Sequence, residues 1–243
     1  MQLDFHHGQL GQLGLSQTMA INIVMFGPPG AGKGTQAEQL ARVRGVPKIS
    51  TGDVLREEVR TETELGRSAK AIMDRGALVS DEIMIGIIRR RLARDDVRQG
   101  FVLDGFPRTL PQAEVLDAMM VGCDPIIVLD IMVSSDEVLR RIGARHVCSQ
   151  CGAIFGDGAL TAVCTRCGDE LVRRSDDRES VVRKRLKVYA RDTAPLMHRY
   201  RDRSTFAEID GAGTPDAVAL AVAAAVDRLH GAASPEQTGR VSQ

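Results

Sequence analysis

Apolar positions along the chain follow two rhythms. Short unbroken runs, INIVMF (21–26), FVLD (101–104), PIIVLDI (125–131) and TFAEID (205–210), predict buried strands. Between them lie longer stretches with helical spacing. The first is TQAEQLARVRG, closed by Gly45, and the others are 52–62, 66–75, 81–94, 111–121, 135–143, 177–201 and 215–230. Strands alternating with helices predict an α/β fold, a parallel sheet with helices on both faces. One segment, 146–172, breaks the rhythm, with few helix signals and few large apolar residues. Residues 1–18 are polar and Gly/Gln-rich without a sustained period, so they read as a disordered extension, with Met19 as a natural start and the fold beginning near Ala20. The tail at 231–243 also reads as disordered.

At 243 residues the chain suits one medium α/β domain with insertions, or at most two domains. Its 32 Lys and Arg balance 32 Asp and Glu, so no net basic field draws it to nucleic acid or to an anionic membrane, and any anion must be held by local charge. Its 3% aromatic residues and lack of a basic stripe disfavour a nucleic-acid-binding protein as well. No apolar run reaches the roughly 18–20 residues a membrane span needs, and the opening segment has neither a basic n-region nor an apolar h-region. A soluble, cytoplasmic protein is expected. Cys123, alone among the five cysteines in lacking a paired neighbour, reads as a small buried hydrophobe at a strand edge.

The turn after the first strand carries the first chemistry. Gly27-Pro28-Pro29-Gly30-Ala31-Gly32-Lys33-Gly34-Thr35 follows the P-loop pattern, except that Gly34 holds the Ser/Thr place and Thr35 comes one residue later. Glycines let successive backbone N–H groups converge on a phosphate at a helix N-terminus, and Lys33 adds a mobile charge toward the β- and γ-phosphates. Glycine at the hydroxyl position removes one direct Mg²⁺ ligand. Hydrolases, motors and kinases share this loop, so it specifies phosphate binding and no more.

The irregular segment carries the second. Cys148-Ser-Gln-Cys151 and Cys164-Thr-Arg-Cys167 face one another across twelve residues, each pair followed by glycine. Four thiolates close a tetrahedral structural Zn²⁺ site with no open position. A segment too poor in apolar residues to build a core gains its order from such a metal.

Three motifs, GPPGAGKGTQ (27–36), STGDVLR (50–56) and LDGFPRTLPQ (103–112), resemble the adenylate kinase family in sequence and order, and with the cysteine segment the resemblance extends over about residues 20–230. The resemblance is to the long, bacterial-type form with a large zinc-bearing lid. The resemblance implies a P-loop nucleoside-monophosphate kinase fold with a core at 19–49, 80–143 and 178–230, a small helical AMP-binding domain at 50–79 and a lid at 144–177. It implies Mg²⁺-dependent phosphoryl transfer, ATP + AMP = 2 ADP, by a monomer whose partners are these nucleotides alone. Gly30, Ala31, Gly32, Lys33, Gly34, Thr35, Arg141, Arg145, Ile154, Phe155 and Gly213 would meet ATP. Thr51 and Gln112 would address the adenine of AMP, Ala77, Leu78 and Val79 would line its pocket, and Gly105, Phe106 and Pro107 would form the turn that aims Arg108. Arg56 and Arg108 would hold the AMP phosphate, and Asp104 the water shell of Mg²⁺.

Phosphoryl transfer depends on positioning and charge, and no general base is needed where a phosphate is itself the nucleophile. The resemblance accordingly supplies a cationic set, Lys33, Arg108, Arg141, Arg145, Arg174 and Arg185, the last two reaching the phosphates and AMP as the lid shuts. Arg140, Arg173, Arg183 and Lys184 read as a solvated basic face, and Asp176 and Asp177 as residues that order nearby arginines or cap the following helix. A kinase for UMP, CMP or GMP would share all but the base-recognising Thr51 and Gln112.

Overall fold

The computed structural model describes residues 19–156 and 162–233. The disorder expected for 1–18 and 234–243 lies outside the described residues. In chain order the elements are β1 (Ile21–Phe26), α1 (Lys33–Arg44), β2 (Lys48–Ser50), α2 (Thr51–Arg60), α3 (Glu64–Met73), α4 (Asp81–Leu92), β3 (Gly100–Asp104), α5 (Leu110–Met119), β4 (Ile126–Met132) and α6 (Ser135–Ala144). They continue with β5 (His146–Cys148), β6 (Ile154–Phe155), β7 (Leu171–Val172), α7 (Glu179–Val188), α8 (Met197–Tyr200), β8 (Phe206–Asp210) and α9 (Pro215–Ala233). The last helix runs three residues past its predicted end, so 231–233 are helical.

Five strands form a parallel sheet in the order β2-β3-β1-β4-β8. Because side chains alternate across a strand, β1 feeds both faces. Val24 and Phe26 join Leu103, Ile88, Leu116 and Tyr200 on the face covered by α4, α5 and α8. Ile23 and Met25 join Leu40, Ile127, Leu129 and Val226 on the face covered by α1 and α9. Each such aliphatic side chain, taken fully from water, stabilises the fold by about 1.5–3 kcal/mol. The register aligns Met25 with Asp104, Ser50 with Asp104 and Phe26 with Asp130. The carboxyl ends of β1, β2 and β3 therefore release the Gly-rich loop, the start of α2 and Asp104 at one edge, where open α/β sheets bind ligands.

Two insertions stand on this edge. The first is the α2–α3 pair, with Thr63 capping α3 by accepting from Gly66 N–H at 2.9 Å. A Cβ on Gly66 would fall 1.9 Å from the Glu58 carbonyl oxygen, so the two helices approach as closely as they do only with glycine there. The second is a three-stranded antiparallel sheet, β6-β5-β7, in the segment that lacked helix signals.

Two further expectations are corrected. The helix predicted over 177–201 is several pieces: a 3₁₀ turn at Ser175–Asp177, then α7, a π-helical turn at Tyr189–Thr193, a 3₁₀ turn at Ala194–Leu196, and α8. Pro195 has no N–H to offer and its ring crowds the carbonyl of residue 191, so the helical ladder cannot pass through it unchanged. Cys123 is exposed, in the turn after α5 that Gly122 closes at φ +79°, ahead of the strand rather than on it.

Candidate active site

The Gly-rich loop leads from β1 into α1, and the Lys33 ammonium turns back inside it, donating to the carbonyls of Gly27 at 2.7 Å and Pro28 at 2.8 Å. Burial holds the Lys33 pKa down at about 8; Asp104 opposes the shift, while Arg108 and Arg185 reinforce it. A Cβ on Gly34 would lie 3.5 Å from Asp104 Oδ2 and 3.8 Å from Ile154 Cδ1. Glycine at this position therefore leaves the space between loop and carboxylate open, and the lid strand β6 lies directly over the loop. The lid also touches α1 through Arg166 and Glu38, 3.0 Å apart.

Thr51 is the first residue of α2, not its cap. Ser50 caps the helix by accepting from Asp53 N–H at 3.3 Å, which frees the Thr51 hydroxyl to donate to the Gly105 carbonyl at 2.9 Å. Gly105 sits at φ +82°, and a Cβ there would meet Thr51 Oγ1 at 2.7 Å and Arg108 Nη2 at 2.8 Å. Arg108 Nε donates to the same Gly105 carbonyl at 2.8 Å. Burial, then the proximity of Arg185, lowers the Arg108 pKa to about 10.

Two cavities open on this edge. The smaller, about 140 Å³, is lined by Thr51, Arg56, Ala77, Leu78, Val79, Gly105, Pro107, Arg108, Gln112 and Arg185. The larger, about 600 Å³, is lined by Gly30, Ala31, Gly32, Lys33, Gly34, Thr35, Asp104, Arg141, Arg145, Ile154, Phe155, Arg174 and Gly213. Lys33, Arg56, Arg108 and Arg185 line both. The two compartments therefore meet at a cluster of cations. Of the residues expected around AMP, Phe106 is buried in the apolar core beneath the site and Arg174 faces the larger cavity only.

The arginines separate by their partners. Arg145 makes a forked pair with the buried Asp177, while Arg185 pairs with Asp176 at 2.9 Å and approaches Asp177 at 3.6 Å. The two aspartates thus order arginines, and neither caps α7, whose start carries no side-chain cap. Arg174 is brought down to about 10 by burial and by Arg56 and Arg145 nearby; its Nε has no partner among the described residues. Arg141 is a brace: Glu137 holds its Nε at 2.6 Å, and its other nitrogens reach the carbonyls of Ala31 at 3.4 Å and Gly211 at 2.7 Å. Arg183 forms an exposed pair with Glu179 and Arg173 bonds the Gly143 carbonyl, whereas Arg140, paired with Glu137, also lines the larger cavity.

In the lid, the four sulfurs of Cys148, Cys151, Cys164 and Cys167 all lie within 4.8 Å of one another. Cys148 and Cys167 are 3.3 Å apart, and Cys151 and Cys164 3.7 Å. A tetrahedron with metal–sulfur bonds of about 2.3 Å has edges of about 3.8 Å, so the donor set fits a zinc ion. Cys151 N–H donates to the Cys148 sulfur at 3.4 Å and Arg166 N–H to the Cys164 sulfur at 3.3 Å, which orients thiolates for a metal.

Residues passed over in the sequence also line the site. Thr193, released by the π-helical turn, donates to the Arg108 carbonyl at 2.9 Å, and Tyr189 walls the smaller cavity. Pro195 was the available signal for that break. Asp81 receives the Gln112 amide at 2.7 Å and looked in the sequence like an ordinary acidic helix start. Among the described residues no helix is long and apolar enough to cross a membrane.

The family model described as adenylate kinase matches residues 25–205. An adenylate kinase of Acidothermus cellulolyticus is 49% identical over 211 residues, covering 84% of this chain and 97% of that protein. Adenylate kinases of Methanocella arvoryzae and Archaeoglobus fulgidus are 45% and 44% identical over 215 residues, covering 86% of this chain and 100% and 99% of theirs. With a parallel sheet flanked by helices, a phosphate loop at its carboxyl edge and a four-cysteine lid, the chain belongs to the adenylate kinase family.

Proposed function

We propose that the smaller cavity holds AMP, the larger holds ATP, and the γ-phosphoryl group passes between them at the cations that line both. The observation that carries this reading is the junction itself: two compartments of unequal size share Lys33, Arg56, Arg108 and Arg185. Burial and mutual repulsion depress the pKa values of Lys33, Arg108 and Arg185, so an anion placed among them relieves a cost already present.

An oxygen of the AMP phosphate attacks the γ-phosphorus as the bond to the β-bridging oxygen breaks, giving two ADP. The nucleophile is already anionic, so no proton need be removed and no general base is required. Thr51 and Gln112 address the adenine of AMP, Leu78 and Val79 pack against it, and Arg56 and Arg108 fix its phosphate. Lys33 and the loop amides cradle the β- and γ-phosphates, while Arg145, Arg174 and Arg185 stabilise charge on the moving group. Arg141 ties the loop to the segment after β8, and Ile154 and Phe155 close over ATP, excluding water that would otherwise accept the phosphoryl group.

Magnesium, held through its waters by Asp104 beside Gly34, would neutralise charge on the phosphate oxygens. Zinc held by Cys148, Cys151, Cys164 and Cys167 would order the lid. The protein works as a cytoplasmic monomer without nucleic acid or membrane partners; its zero net charge supports only the last part of this reading. A coupled assay of ADP formation with AMP, CMP, UMP and GMP tests the proposal. AMP is expected to be clearly preferred and Lys33→Met to abolish the reaction; equal use of another monophosphate, or full rate in Lys33→Met, overturns it.

A further inference from the structure

The contacts of Gln112 are more constrained than base recognition alone requires. Its side chain is 2% exposed, and each end of the amide is already engaged. Oε1 accepts the backbone N–H of Arg108 at 2.8 Å, and Nε2 donates to Asp81 Oδ1 at 2.7 Å. Thr109, the N-cap of α5, donates its hydroxyl to the same Asp81 oxygen at 3.0 Å and accepts Gln112 N–H at 3.4 Å. Asp81 is itself the first residue of α4, on a different element, where the helix N-terminus favours a negative charge.

An amide has two acceptor sites on its oxygen and two N–H donors, so one of each remains for a ligand. An ionised carboxylate only accepts, and a backbone N–H only donates. Asp81 therefore demands the nitrogen end and Arg108 the oxygen end, and both demands are met by a single orientation of the amide. The face left for the cavity offers an acceptor from Oε1 beside a donor from Nε2. Adenine presents the complementary pair, the 6-amino N–H beside the N1 acceptor. Hypoxanthine and guanine present the inverse, an O6 acceptor beside an N1–H donor, and would match only a flipped amide.

We infer that Asp81 is a positioning residue that locks the orientation of the Gln112 amide and thereby sets the preference for 6-amino over 6-oxo purine monophosphates. The inference rests on the proposed placement of AMP against Gln112. Asp81 acts through Gln112 and touches neither the phosphates nor ATP in that placement. Its loss releases one of the two clamps, leaving Arg108 N–H to hold the amide alone.

AMP and IMP, which differ only at this edge of the base, are the probes. Kinetics with each are measured for the wild-type protein, Asp81→Ala, Asp81→Ser, Asp81→Asn and Gln112→Ala, with KM for ATP and the thermal midpoint recorded throughout. Asp81→Ala is expected to lower the AMP-to-IMP ratio of kcat/KM about tenfold, mainly through KM for AMP, with KM for ATP within about twofold of wild type. Asp81→Ser, too short to reach the amide but a good helix-start residue, repeats the deletion in a form that preserves the beginning of α4. Asp81→Asn keeps an acceptor oxygen and is expected to retain the ratio within about threefold.

An unchanged ratio in both Asp81→Ala and Asp81→Ser, or an equal loss for AMP and IMP, overturns the inference. A wild-type protein without preference for AMP, or a Gln112→Ala variant with an undiminished ratio, instead overturns the placement of AMP. Preference lost in Gln112→Ala but kept without Asp81 leaves that placement standing and removes Asp81 from it.

Discussion

The phosphate site and the lid meet over one cavity but are held together by different forces. Asp104 ends β3, and Lys33 and Gly34 begin α1 where the Gly-rich loop leaves β1; the side chains of these two strands, Ile23, Val24, Leu103 and Val102, are completely buried on one face or the other of the sheet. Of the lid's strand residues, Val147 and Cys148 are buried, Ile154 is 39% exposed, and Leu171 and Val172 are half-buried. What the lid has instead is four sulfurs at metal-binding distances. A charge removed from the first region should therefore damage the chemistry and leave the fold intact. A ligand removed from the second should damage local order first and chemistry as a consequence.

The largest effect expected on the sheet side comes from Lys33→Met. The ammonium lies inside the loop and is depressed by burial, so its loss removes a desolvated charge while the apolar packing beneath is untouched. Turnover should fall by about 10³-fold or more, with the thermal midpoint unchanged or raised. A midpoint that falls by many degrees would show that the loop contributes to the fold as much as to the reaction, and the contrast with the lid would fail.

Asp177→Ala comes next, because it cuts the joint between the two regions. Its carboxylate has 1% side-chain exposure and holds Arg145, just past α6, while Arg185 on α7 approaches it at 3.6 Å and is held by Asp176 at 2.9 Å. Removing one partner from a buried pair leaves the other charged and unpaired, typically at about 3–5 kcal/mol. Chemical denaturation should register a loss of that order, and turnover should fall about a hundredfold as Arg145 loses its aim and Arg185 keeps only Asp176. A loss confined to turnover would mean that solvent reaches Arg145 freely.

The same contrast decides what was legible in the sequence. Strands 21–26 and 101–104, the phosphate loop and the four cysteines were readable because each is specified locally, by an apolar run or by ligand spacing. β2 was missed because Lys48–Ser50 is three residues at the sheet edge, too short for a period. The lid strands were missed because pairing with the neighbouring strand, not apolar alternation, defines them. Ser50 rather than Thr51 caps α2, and that choice, which releases the Thr51 hydroxyl toward Gly105, is not visible in the two adjacent hydroxyl residues alone. Asp81 is 31 residues from Gln112 and Asp177 is 32 from Arg145, so neither contact leaves a local trace. The break after α7 did leave one, Pro195, outweighed by the helical spacing around it.

On the lid side, metal removal is expected to act locally. Chelation, or Cys164→Ser, should release one zinc per chain and expose the lid to protease while the sheet stays protected. Turnover should fall about tenfold to a hundredfold, since Arg174 and the Ile154–Phe155 strand lose their support. Mass spectrometry of the cleavage products locates the opening. Cuts spread through β1, β3 and β4 would break the comparison, since the lid metal would then be holding the sheet as well.

The smallest effect sharpens the comparison by titration. The Lys33 pKa is lowered from 10.5 to about 8, so between these values the unfolded chain carries a proton there that the folded chain does not. Stability contributed by this group therefore rises with pH across that window, and its cost is fully present below pH 8. ATP binding runs in the opposite direction, because the phosphates need the ammonium. In the free protein the charge is lost as pH passes about 8, so kcat/KM for ATP should decline above that point, approaching tenfold per unit. Bound phosphates favour the protonated form and raise the pKa again, so kcat should hold to a higher pH than kcat/KM. Rates from pH 6 to 10 with saturating AMP separate the two profiles. If kcat/KM stays level past pH 9.5, the ammonium keeps its proton in the free site, and burial in the loop is not the dominant force on Lys33.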